Sequence, residues 1–108
     1  MRVTWVLGEP FWRVAGARRL AMDLPEGATV ADALASLARE HPLLGRLLRG
    51  EPVSAEDVGV LGPAWRVVGR SLPIQVFRNG RAVREGDRAV TRLQEGDRLY
   101  LFLPAVGG

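Results

Sequence analysis

At 108 residues with 47% hydrophobic content, the chain has material for one buried core and not for two, so a single domain is expected. It contains no cysteine, which excludes disulfides, thiolate nucleophiles and Cys-built zinc or iron–sulfur sites. All 15 basic residues are arginine, so the high isoelectric point reflects missing lysine rather than a large charge; the formal net charge is only +3.

These arginines are spread along the chain and interleaved with acids, as in "VREGDRAVTRLQEGDR", the pattern of a solvated face. No basic run with interleaved aromatics appears, so no nucleic-acid partner is expected. No apolar run approaches the roughly 20 residues a membrane span needs, and the N-terminus lacks a signal-peptide pattern. A cytoplasmic protein with no membrane partner is the simplest expectation.

In chain order, Arg2 to Leu7 alternates Val3, Trp5 and Leu7 against Arg2, Thr4 and Val6, the period of a half-buried strand. "GEPFWRVAG" is a turn-rich connection carrying two large aromatics. A second strand follows over Arg18 to Leu24, with Leu20, Met22 and Leu24 on one face. Pro25 and Gly27 break that pattern, and a helix starts at Thr29, where Asp32 completes a capping box. Val30, Leu34, Leu37 and Ala38 recur at helical spacing. His41-Pro42 ends the helix, with a further turn or two in "LLGRLLRG". From about 50 to 72 the glycines and prolines mark an irregular insertion, with room for one short strand. "IQVF-RNG-RAV" is a hairpin around Asn79-Gly80. "QEGD" is a polar turn feeding a closing strand from Arg98 to Leu103.

Strand, strand, helix and three further strands close economically if the last strand lies parallel beside the first and the helix forms the right-handed crossover. The fold class expected is α+β, a ubiquitin-like β-grasp with a mixed sheet and one helix packed across one face. Alternation then turns Leu99, Leu101 and Leu103 to the core and Tyr100 and Phe102 to the opposite face, open unless the insertion covers it. Thr4, Val6, Ala82 and Arg78 are expected as neighbours there, and an exposed apolar patch of this kind marks a partner site. Lone His41 has no Ser, Cys or metal-ligand company, and the acids of "REGDR" and "QEGDR" are expected in turns and on the solvent face.

"LQEGDRLYLFLPAVGG", "EGATVADALASL" and "VFRNGRAV", in their order along the chain, resemble the ubiquitin-like sulfur-carrier family: the small subunit of molybdopterin synthase and the thiamin- and cysteine-pathway carriers. The tail departs from the molybdopterin type in having one proline, Pro104, where two are usual, and "LPAV" is nearer the cysteine-pathway carriers. The resemblance implies a protein co-substrate rather than an enzyme, with no bound cofactor or metal. Its carboxyl terminus would be adenylated by an E1-like enzyme using ATP, converted to a thiocarboxylate with a sulfur donor, and used by a synthase large subunit. Gly108 would be the reacting residue and Gly107 its access, since two glycines give a strip of backbone without side chains and with wide φ/ψ freedom. Pro104 would stiffen the base of a flexible tail. The resemblance also implies that Phe102, with Tyr100, Pro104, Val6, Ala82 and Arg78, meets these partners. Molybdopterin synthesis is the first expected destination of the sulfur; cysteine synthesis, tRNA thiolation, thiamin, protein modification and a plain binding module are the alternatives.

Overall fold

The structure is a computed structural model and describes residues 1–51, 54, 56, 57, 59 and 74–103. Most of the expected insertion at about 50–72, and the tail from Pro104 to Gly108, lie outside the described residues.

Strand β1 (Arg2–Leu7) leads into a short helix α1 (Phe11–Ala15), then β2 (Arg19–Asp23), α2 (Val30–Glu40) and α3 (Pro42–Leu48). After them come β3 (Gln75–Arg78), β4 (Arg81–Ala82), a 3₁₀ turn at Glu85–Asp87 and β5 (Arg98–Phe102). The described strands form one sheet in the order β2-β1-β5-β3-β4. First and last strands are parallel neighbours, with Val6 opposite Tyr100 and Leu7 opposite Leu101, and every other pair is antiparallel. This is the mixed sheet of a ubiquitin-like β-grasp.

Local chemistry accounts for most of these elements. The Thr29 hydroxyl accepts from the Asp32 amide at 3.2 Å while the Asp32 carboxylate accepts from the Thr29 amide at 2.9 Å, closing the capping box of α2. The next free amides of that helix, at Val30 and Ala31, donate to the Thr91 and Arg88 carbonyls, so the loop before β5 completes the cap. Asn79 and Gly80 both take positive φ (49° and 87°), the two-residue turn whose twist suits a hairpin.

Two sequence expectations change. The segment read as a turn-rich connection contains α1, because Phe11 is fully buried and the Glu9 carboxylate accepts from both Trp12 Nε1 and Arg13 Nε at 2.8 Å, tying the turn together. On α2 the buried positions are Val30, Ala33 and Leu37, while Leu34 and Ala38 are half-buried. The further helix expected in "LLGRLLRG" is α3, opened by Pro42 at its first turn.

The core lies between one face of the sheet and the helices: Val3, Trp5, Leu7, Phe11, Val30, Leu37, Leu44, Val76, Leu99, Leu101 and Leu103 are all within a few per cent of complete burial. On β5 the odd-numbered positions carry this packing.

Candidate functional site

The same alternation sends the other side chains of the central strands to the face away from the helices. Tyr100 and Phe102 lie there on β5, half-buried, with Val6 beside Tyr100 on β1. Phe77 sits opposite Tyr100 across the antiparallel β3–β5 pair, and Gln75 opposite Phe102. The Phe77 and Phe102 ring centroids are 5.2 Å apart and the rings are tilted by 49°, within the range of attractive aromatic pairs. Ala82, opposite Phe77 on β4, is exposed at the margin of the strip.

Around this apolar strip the face is charged. Thr4 stands opposite Arg98 on β5 and Ala21 on β2, Val6 opposite Arg19, and Arg2 opposite Asp23. Arg2 and Asp23 pair at 3.1 Å, and the Arg2 hydrogen bond holds the exposed Asp23 carboxyl below the usual carboxylate range. Arg19 and Arg98 are exposed and form no ion pair among the described residues.

One residue expected on this face is elsewhere. Arg78 stands opposite Leu99, whose side chain is in the core, so the pleat places Arg78 on the helix-covered side of the sheet. Its Nε donates to the Asp97 carboxylate at 2.8 Å. Phe77 takes the place that the sequence reading gave to Arg78. The hairpin supplied the signal: a two-residue turn at Asn79-Gly80 pairs position 78 with 81 and 77 with 82, so choosing Ala82 required Phe77.

Asp97 was expected on the solvent face of a turn and is instead 5% exposed. It accepts from Arg78 Nε at 2.8 Å, Asn79 Nδ2 at 2.9 Å and the Gln94 amide at 2.8 Å. Burial works against its ionisation, but the hydrogen bonds from Asn79, the Gln94 amide and Arg78 outweigh it and hold the carboxyl below its ordinary range. Asn79 Oδ1 in turn accepts the Arg98 amide at 2.8 Å. This buried acid fastens the β3–β4 turn to the turn before β5 and so fixes the register that sets Tyr100 and Phe102 outward.

At the far end of β5, Gly8 donates its amide to Leu101 at 2.8 Å, and a Cβ at Gly8 would lie 2.9 Å from the Cβ of Phe102. Only glycine lets the end of β1 approach this closely. Leu103, 1% exposed, pins the last described residue of the chain in the core. Pro104, Gly107 and Gly108 lie outside the described residues. Among the described residues no group of acidic or histidine side chains could hold a metal ion, and no helix is long and apolar enough to cross a membrane.

Residues 11–108 match the family model described as the ThiS family. The chain belongs to the ThiS family of ubiquitin-like sulfur carriers and small modifiers. It is 33% identical over 104 residues to small archaeal modifier protein 1 of Haloferax volcanii, covering 96% of this chain and 98% of that protein. The crystal structure of that modifier from H. volcanii superposes with a TM-score of 0.64 at 30% identity, covering 100% of both chains. A structure titled putative molybdopterin converting factor, subunit 1, from Pyrococcus furiosus, shares the fold at 18% identity and a TM-score of 0.61, with 95% of this chain and 97% of that one covered. Small carriers and modifiers of the ThiS type are generally not enzymes; they act with E1-like enzymes and synthase partners.

Proposed function

We propose that this ThiS-family chain carries sulfur on the carboxyl group of Gly108, and that the open face centred on Phe77, Tyr100 and Phe102 docks the enzymes that load and use it. The observation that carries the reading is the family match, which runs to Gly108 itself. A free carboxylate does not accept sulfide, so it must first be activated. The Gly108 carboxylate attacks the α-phosphorus of ATP on an E1-like enzyme, pyrophosphate leaves, and a sulfide-level nucleophile then displaces AMP from the acyl-adenylate. The product thiocarboxylate holds nucleophilic sulfur without any cysteine in the chain.

The first destination we propose is molybdopterin, supported by the sequence "LYLFLPAVGG", with an aromatic and then a proline before the glycines. Cysteine synthesis, tRNA thiolation and thiamin synthesis would use the same chemistry. The names of the H. volcanii relatives favour a second use of the same activated glycine, attack by a lysine amine of another protein to leave an isopeptide bond. Without lysine, this chain offers no side-chain amine for building chains upon itself.

The test is intact-mass and alkylation analysis after incubation with an E1-like enzyme, ATP and sulfide. Exchange of one oxygen for sulfur at Gly108, creating a site for a thiol-directed reagent, supports the proposal; an unchanged Gly108 in the presence of several such enzymes contradicts it. Finding the Gly108 carbonyl on lysines of other proteins identifies the modifier use.

A further inference from the structure

The outer edge of β2 is paired with no described strand, and its sequence, Arg19-Leu20-Ala21-Met22-Asp23, is complementary to itself when run antiparallel. With Ala21 on a two-fold axis, Arg19 of one copy faces Asp23 of the other, Leu20 faces Met22, and Ala21 faces Ala21.

The hydrogen-bond phase of the strand selects the same register. Met1 and Leu24 exchange two hydrogen bonds of 2.8 Å, and the Leu7 amide donates to the Arg18 carbonyl at 2.8 Å. The even-numbered residues of this segment therefore turn their N–H and C=O groups toward β1, and alternation leaves those of Arg19, Ala21 and Asp23 pointing away from β1, off the edge that no described strand pairs. Pairing about Ala21 would join these three positions as three hydrogen-bonded pairs, six bonds in all. Arg19, Ala21 and Asp23 also share the open face, because they stand opposite Val6, Thr4 and Arg2. Each Asp23 would then lie between Arg2 of its own chain, already paired at 3.1 Å, and Arg19 of the other, which has no ion pair of its own among the described residues. A parallel arrangement would set arginine beside arginine and acid beside acid, which is unfavourable.

From this phase and charge order we infer that two copies of the chain associate through β2 edges, as an isologous antiparallel pair that makes one continuous ten-stranded sheet. The pairing leaves the Phe77–Phe102 strip of each copy uncovered, since β2 is separated from β5 by β1. It is independent of the chemistry proposed for Gly108.

Sedimentation equilibrium over micromolar to millimolar concentrations tests it with two charge reversals. The wild type forms a dimer; Arg19→Asp and Asp23→Arg each weaken self-association at least tenfold; and an equimolar mixture of the two variants forms a one-to-one heterodimer, because each then supplies the charge that the other lacks. A wild type that stays monomeric throughout overturns the inference. So do single variants that dimerise as well as the wild type, or a mixture that stays monomeric. Should a reversed variant fail to fold, hydrogen exchange on the wild type decides: the Arg19, Ala21 and Asp23 amides gain protection as concentration rises, and their remaining unprotected overturns the pairing.

Discussion

The two faces of the sheet use similar apolar residues for different ends. On β5, Leu99 and Leu101 are fully buried beneath the helices, while Tyr100 and Phe102, one position along, are half-buried on the opposite side of the sheet. On the covered side the neighbours of β5, Trp5, Leu7 and Val76, are completely or almost completely buried; on the other side an aromatic strip is bordered by Thr4, Gln75 and arginines, Arg19 and Arg98, that form no ion pair among the described residues. The contrast teaches that apolarity alone does not define the core. What distinguishes the faces is the chemistry of the border, and a half-buried aromatic strip with a polar rim is the composition of a contact surface.

Breaking the covered face is expected to give the largest effect on stability. Leu101→Ala removes a fully buried side chain and leaves a cavity, at a cost of about 2–5 kcal/mol, measurable by chemical denaturation. Next comes the hinge between the faces, Asp97. Asp97→Asn weakens the bonds to Arg78, Asn79 and the Gln94 amide and is expected to cost about 1–3 kcal/mol. The same acid sets a pH dependence. Its carboxyl lies below the ordinary value in the folded state, so its contribution is complete above the unfolded value of about 4 and is lost as pH falls through the folded one. Thermal melts of the wild type from neutral pH down to strongly acid pH should show this loss, and Asp97→Asn should flatten it.

On the open face the effects on stability shrink. Phe102→Ala forfeits the contact with Phe77 and part of a half-buried surface, about 1 kcal/mol. Arg98→Ala, at an exposed side chain without an ion pair among the described residues, should stay within about 0.5 kcal/mol by the same denaturation assay. A large loss at Phe102 would mean that the strip is a second core.

How far the sequence revealed this arrangement follows from which signals are local. The strand alternation of β1 and β5, the Thr29 capping box and the Asn79-Gly80 turn each depend on a few neighbouring residues, and all appear as expected. The β5 alternation also located Tyr100 and Phe102. What escaped depends on partners far along the chain. Asp97 looks like any turn acid until Arg78 and Asn79, some 18 residues earlier, close over it. α1 depends on the burial of Phe11 beneath other elements, which no short-range pattern announces. Arg78 differs from both, because its signal is local: the two-residue turn at Asn79-Gly80 pairs Phe77 with Ala82, and the pleat then turns Arg78 to the other side.

The most direct measurement is ATP–pyrophosphate exchange by an E1-like enzyme with wild-type chain, Phe77→Ala and Phe102→Ala as protein substrates, each paired with a thermal melt. If the open face docks the enzyme that activates Gly108, both variants raise KM for the chain tenfold or more while remaining folded at the assay temperature. Unchanged KM values for both variants, with the wild type active, would contradict the assignment of this face.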